Sequence, residues 1–250
     1  MALLTLKRKS KATKPPKRAS RLRRFLRALI LWPLRLGLAL LAFCILWVAL
    51  YRFIALPGGL YMASEAWNRS GIEQTWQPIE EISPRLVRSV MAAEDARFCA
   101  HYGFDFDAIR AAIRLREQGN RTYGASTISQ QTAKNVFLWH ERSWVRKGLE
   151  AGFTVLIEAL WPKQRILEVY LNIAEFAPGV FGAEAASQHH FGRPASALTL
   201  TQAARLAAVL PNPKARSASR PSAFVKRRAR SIADGAETLR VEGRDECGFG

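Results

Sequence analysis

The sequence predicts a mainly α-helical domain behind a single N-terminal transmembrane helix. Three observations predict it: an unbroken apolar run from Leu36 to Tyr51, a helical spacing of apolar residues from Ile79 to Leu210, and very few alternating β-branched stretches. A chain of 250 residues is long enough for one large domain with appendages.

Residues 1–27 read as a basic tail. Eleven Lys/Arg stand between Lys7 and Arg27, with Pro15 and Pro16 among them, a composition that cannot bury a core and is expected to stay disordered. Residues 28–54 read as a membrane anchor, interrupted only by Pro33, Arg35 and Arg52; with the arginines snorkelling, it spans a hydrocarbon core of roughly 30 Å. A cleaved signal peptide is the alternative, but the run is long and no A-x-A site follows it. Leu41-Ala42-Phe43-Cys44 has the outline of a lipoprotein cleavage site, against which the bulky Phe43 argues. The positive-inside rule then puts the tail in the cytoplasm and everything after Arg52 across the membrane.

Residues 55–215 read as the folded domain. Pro57-Gly58-Gly59 ends the anchor, and the lead-in to Pro78 carries Leu60, Tyr61, Met62, Trp67 and Trp76, aromatics suited to a bilayer interface. Ser83 and Pro84 open a helix whose apolar stripe is Val87, Val90 and Met91, with Glu94 next on the same face. Asp105 caps a helix through Ala108, Ile109, Ala112 and Ile113 to about Gln118, stopped by Gly119. Thr127 with Gln130 has capping-box spacing, and a helix from Ser143 to Leu160 carries Leu149, Phe153, Leu156, Ile157 and Leu160. Lys163 to Asn172 adds another helix, Pro178-Gly179 a turn, and Thr199 with Gln202 caps an alanine-rich helix ending at Leu210. Residues 216–250 read as a loosely docked C-terminal tail with a short helix from Phe224 to Leu239.

The formal charge of +18 suggests nucleic acid at first sight, but residues 1–52 hold thirteen Lys/Arg and no acid, leaving +5 on the rest. That remainder is a mildly basic domain suited to a phosphate-bearing substrate or an anionic membrane surface rather than to nucleic acid. Cys44, Cys99 and Cys247 lie far apart, so neither a metal cluster nor a disulfide framework is expected and each reads as a small filler residue. His101, His140, His189 and His190 match no zinc pattern. There is no S-x-x-K and no G-x-x-x-x-G-K-[ST] loop, which excludes serine acyl transfer of the penicillin-binding kind and a nucleotide P-loop.

Three stretches carry chemistry. In Met91–Asp107, MAAEDARFCAHYGFDFD, the helical count aims Glu94 at a buried or cleft-facing surface, where desolvation raises a carboxyl pKa toward the range of a general base. The bland alternative is an ion pair with Arg97. In Gly124–Asn135, the residues Thr127, Gln130, Gln131 and Lys134 share one hydrogen-bonding, cationic helix face. Gly124 allows close backbone approach and the first-turn N–H groups suit an anion; a solvated face is the alternative. In Arg142–Glu150, a carboxylate at Glu150 stands beside Arg142, Arg146 and Lys147, which suits diphosphate or metal-assisted chemistry, or else an ordinary ion pair within one helix.

These stretches resemble the successive signatures of the bacterial peptidoglycan glycosyltransferases, glycosyltransferase family 51: Glu94-Asp95-x-x-Phe98-x-x-His101-x-Gly103-x-Asp105, Gly124-Ala125-Ser126-Thr127-Ile128-x-Gln130-Gln131-x-x-Lys134-Asn135, and Arg146-Lys147-x-x-Glu150. Arg165-Ile166-Leu167-Glu168-x-Tyr170-Leu171-Asn172 with Gly179-Val180-Phe181-Gly182 is similar to a fourth block, and Ala207-Ala208-Val209-Leu210-Pro211-Asn212-Pro213 to a fifth. Without a transpeptidase domain behind it, the chain looks like the monofunctional biosynthetic transglycosylases. Ala125 departs from a common second glycine, and His189-His190 from a common aromatic before Phe191.

The resemblance implies a lysozyme-like helical fold with a membrane-embedded jaw and a glycan polymerase in the bacterial inner membrane, its catalytic domain periplasmic. The growing glycan passes from undecaprenyl diphosphate to the GlcNAc 4-hydroxyl of lipid II, with inversion, giving a β-1,4 bond. Glu94 is then the base. Lys134 and Arg142 bind the donor diphosphate. Glu150 assists departure or holds a divalent cation, Mg2+ or Mn2+, no cofactor being tightly bound. Ser126, Thr127, Gln130, Gln131 and Asn135 line the sugar and phosphate sites, with Arg146, Lys147 and Asn172 as further candidates. Implied partners are the lipid-linked substrates, the membrane, and cell-wall synthesis or division proteins. The rivals are a glycan-cleaving enzyme of the same architecture and a single-pass scaffold whose basic tail binds anionic lipid.

Overall fold

The computed structural model describes residues 17–119, 124, 126–141 and 143–249, which divide into a unit ending at Trp47 and a second from Val48 onward. The first unit is helical. Helix α1 runs Lys17–Tyr51, and within it Arg27–Tyr51 is 25 residues long and apolar, the one described helix with the length and composition to cross a membrane. It begins well before the expected anchor start at residue 28, because Arg, Leu and Ala are strong helix formers that continue the helix into the basic segment. The rest of the expected tail, residues 1–16, lies outside the described residues.

The second unit is mainly helical, as expected. Its helices are α2 (Leu60–Arg69), α3 (Pro84–Glu94), α4 (Phe106–Glu117), α5 (Ile128–Phe137), α6 (Trp144–Leu160), α7 (Lys163–Ile173), α8 (Ala183–Phe191), α9 (Leu200–Val209) and α10 (Ala223–Val241). A small sheet of β1 (Glu73–Gln74), β3 (Val180–Phe181) and β2 (Glu175–Ala177) has β3 at its centre, parallel to β1 and antiparallel to β2.

Local chemistry sets several boundaries. Asp105 accepts from the N–H groups of Asp107 and Ala108 at the start of α4, and both Thr127/Gln130 and Thr199/Gln202 form complete capping boxes. Ser83 precedes α3, but its hydroxyl donates to the Leu198 carbonyl instead of capping the helix.

Two packed groups follow. Helices α3, α9 and α10 pack on one another, and α5 packs on α6 and α7, with Phe137 and Phe153 stacked 4.6 Å apart between α5 and α6. Phe98, Met91, Ile128, Leu167, Tyr170, Phe176 and Phe181 are fully buried. In contrast α4 buries no residue: Phe106, Ile113 and Leu115 face outward, as do Trp144, Val145, Leu149 and Val155 of α6. Leu149, one of the apolar residues read along this helix, is therefore exposed.

Two sequence expectations are corrected. The C-terminal region is not loosely docked. Helix α10 is capped by Ser222 and buries Val225, Ala229, Ile232, Ala236 and Leu239, a stripe at helical spacing, on α3 and α9. Cys99 and Cys247 are not independent fillers either; they form a disulfide across 148 residues, while Cys44 is free. Such a pairing leaves no local signature, because only the packing of α10 brings the chain end back to Cys99.

Gly59 shows how closely the lead-in approaches the candidate site. A Cβ there would lie 1.8 Å from the Asn135 carbonyl oxygen and 3.0 Å from Val136 Cα, both backbone of α5. Gly59→Ala is expected to destabilise the domain by about 3 kcal/mol through overpacking, read as a lowered thermal midpoint.

Candidate functional site

Glu94 closes α3 as its last residue and turns its carboxylate inward. Oε2 accepts a hydrogen bond from Gln131 Nε2 at 3.0 Å, and Oε1 is buried without a hydrogen-bond partner among the described residues. The Tyr170 hydroxyl donates to Gln131 Oε1 at 3.3 Å, which fixes the amide so that its N–H faces Glu94. Burial raises the Glu94 pKa above the usual carboxylate range. The Gln131 bond and the positive charges of Arg228 and Arg216 oppose that shift, and Asp95 adds to it. Burial, with Glu94 and Asp95 nearby, also holds the Tyr170 phenol well above its ordinary pKa, so it remains a neutral donor.

The ion pair with Arg97 does not form. Arg97 instead reaches Asp107 at 2.7 Å and Asp105 at 3.3 Å. Asp95 serves the scaffold: His101 Nε2 lies 2.9 Å from its Oδ1, and the Ile128 backbone N–H donates to its Oδ2 at 3.1 Å, joining the loop after α3 to the start of α5. Thr127 Oγ1 donates to the Gly103 carbonyl at 2.7 Å. Gly103 has φ +82°, and a Cβ there would lie 2.6 Å from Thr154 Cγ2, so this turn requires glycine.

Glu94 borders two recesses. One, of about 410 Å3, is also lined by Gln131, Lys134, Asn135, His140 and Lys214; the other, of about 300 Å3, by Asp95, Arg97, Asp105, Ser126 and Thr127. At the first recess Tyr61 stacks on His140 with centroids 4.3 Å apart, and its hydroxyl donates to Glu175 Oε2 at 2.6 Å. Burial, then the charges of Lys134 and Lys214, push the His140 pKa down.

Of the residues singled out from sequence, Glu94, Gln131, Lys134 and Asn135 meet at the larger recess and Ser126 and Thr127 at the smaller. Gln130 is spent on the capping box, its Oε1 accepting from the Thr127 N–H at 3.0 Å. Asn172 holds the backbone of Gln77, accepting from its N–H and donating to its carbonyl, each at 2.8 Å. Glu150 is buried and accepts from Arg146 Nη1 at 2.8 Å and from Lys147 Nζ, the ion pairs their spacing suggested; none of the three lines either recess. A divalent cation at Glu150 would have to displace both cations, so this donor set does not fit one. Among the described residues no group of three His, Cys, Asp or Glu converges elsewhere. Arg142 and Ala125 lie outside the described residues.

Sequence reasoning missed Arg216 and Arg228, two cations whose charge lowers the Glu94 pKa, and gave Tyr170 no role. The buried stripe of α10 was the available signal for Arg228, whose Nη2 donates to the Ala93 carbonyl at 3.4 Å.

Residues 62–237 match the family described as Transglycosylase. The chain is 54% identical to a biosynthetic peptidoglycan transglycosylase of Jannaschia sp. (strain CCS1) over 237 residues, 95% of this chain and 98% of that protein. It is 51% identical over 217 residues to the protein of that name from Rhodospirillum centenum, covering 85% and 94%, and 49% identical over 225 residues to that of Caulobacter vibrioides, covering 90% and 97%.

Proposed function

The chain belongs to the transglycosylase family and is a peptidoglycan glycosyltransferase, and from that premise we propose that it polymerises glycan on lipid II with Glu94 as the base. The carrying observation is that, among the described residues, Glu94 alone borders both recesses, with Lys134 in the larger one. Two sugars can thus meet at one carboxylate, beside a cation suited to a diphosphate.

In this reading Glu94 takes the proton of the acceptor GlcNAc 4-hydroxyl. The new C–O bond forms at the donor's anomeric carbon as the bond to the undecaprenyl diphosphate oxygen breaks on the opposite face. Inversion to a β-1,4 bond follows from that geometry. Lys134, with Arg142, stabilises the charge gathering on the leaving diphosphate. Asn135 offers an amide to the same recess, and Ser126 and Thr127 line the other. Glu150, Arg146 and Lys147 hold α6 together.

The N-terminal apolar helix is compatible with a single-pass anchor. A cytoplasmic N-terminus and a periplasmic domain are supported by the basic residues ahead of the helix and by a disulfide, which persists in an oxidising compartment. The outward apolar side chains of α4 and α6 support a membrane-facing jaw.

The test is full-length protein with labelled lipid II, with and without EDTA. Polymer formed without preformed glycan is expected, and shortening of added glycan strands instead would identify a lytic enzyme. Equal rates with EDTA are expected because the Glu150 oxygens are already taken by Arg146 and Lys147; loss of activity would return a metal role to that carboxylate.

A further inference from the structure

We propose that the C-terminal segment Arg244–Phe249, bonded through Cys247 to Cys99, positions the junction of α3 with the loop 95–101, where Glu94 sits, and so supports turnover; the proposal rests on Glu94 being the base. The need for such a brace follows from Glu94 itself. Among the described residues its carboxylate has one hydrogen-bond partner, Gln131, and its other oxygen has none. Its location therefore depends on the backbone around it, at the point where α3 gives way to the loop 95–101.

The chain terminus grips that backbone on both sides of Glu94. Before it, Asp245 is ion-paired with Arg88 of α3, whose guanidinium also lies 4.8 Å from the centroid of the Phe249 ring. Gly248 sits so close to the same helix that a Cβ would come within 3.6 Å of Val87 Cγ1, 3.7 Å of Met91 Sδ and 3.0 Å of Leu167 Cδ1 on α7. After Glu94, Arg244 Nη2 donates to the Ala96 carbonyl at 3.0 Å, and Cys247 is joined covalently to Cys99. One short segment thus ties α3, the loop and α7 together. Neither Cys99 nor Arg244 lines a recess that contains Glu94, so any effect on the reaction passes through the loop.

A disulfide that acted only as a staple would change unfolding and nothing else. A positioning role also alters the reaction, because small misplacement of a catalytic group lowers the rate without weakening binding in proportion. It alters titration too. The groups facing Glu94 are Asp95 next to it in the chain, Gln131 and Lys134 on α5, Tyr170 on α7, Arg228 on α10, and Arg216. All of these remain when the brace is cut, so the change falls on burial, and water entering the loosened loop lowers the Glu94 pKa.

The test compares full-length wild type with Cys99→Ser/Cys247→Ser and with Arg244→Ala, which keeps the disulfide, in lipid II polymerisation across a pH series. For the double variant we expect kcat lower by about 10-fold, KM within about 2-fold of wild type, and the acid limb moved to lower pH. Arg244→Ala should move kcat and the acid limb in the same directions by less. Unchanged kcat and acid limb, with only a lower thermal midpoint, would overturn the proposal; if the double variant does not fold, Arg244→Ala decides alone. Glu94→Gln is assayed in parallel: retained turnover there would fault the choice of base, whereas loss of turnover there with an unmoved limb in the brace variants faults the brace.

Discussion

Glu94→Gln is expected to lower lipid II polymerisation about 10³-fold while the protein folds normally. Glutamine keeps an acceptor for the Gln131 N–H but cannot take a proton. The pH dependence follows from the raised pKa of Glu94. Only the carboxylate is active, so the wild-type rate should fall as pH drops through a value above the ordinary carboxylate range. Stability runs the other way. For a carboxyl whose folded pKa is raised, the stabilising contribution is complete below its unfolded pKa, about 4.3, and is lost as pH rises through the folded pKa. At neutral pH wild type thus carries a desolvated charge that glutamine lacks. The variant should unfold at a temperature equal to or above wild type near neutrality, and that difference should disappear in acid. A variant less stable at neutral pH than in acid, relative to wild type, would contradict the burial of a charged Glu94. Retained turnover would remove it as the base.

Features decided within one turn of chain were readable in advance. The caps at Asp105, Thr127 and Thr199 are examples, because a side-chain acceptor three residues before a free N–H is a local device. So was the Arg146/Lys147/Glu150 cluster, although its resolution as a closed ion pair, away from both recesses, needed the packing of α6. The partner of Glu94 was not readable. Gln131 lies 37 residues on, and the nearer candidate Arg97 is drawn to Asp105 and Asp107 instead. The α10 stripe of Val225, Ala229, Ile232, Ala236 and Leu239 was present in the sequence, but Lys226, Arg227, Arg228 and Arg230 between its first positions obscure it. The partnership of Cys99 with Cys247 depends on that helix, and so lay one further step out of reach.

Lys134→Ala is expected to lower kcat/KM for lipid II about 10²-fold, the scale of losing one electrostatic contact to a charge that grows in the transition state. The capping box at Thr127 fixes the start of α5 and hence its rotation. Gln131 and Lys134, one turn apart, then face the same recess, one holding Glu94 and the other offering positive charge. Lys134→Arg should recover part of the loss, because charge returns in a different shape. Two readouts separate action on the substrate from action on the base. The positive charges that lower the Glu94 pKa most are Arg228 and Arg216, so removing Lys134 should move the acid limb little. His140, by contrast, is held at low pKa by burial and then by Lys134 and Lys214, so Lys134→Ala should raise its pKa in an NMR titration. A large shift of the acid limb with an unmoved His140 would mean that Lys134 acts through Glu94 rather than on the diphosphate.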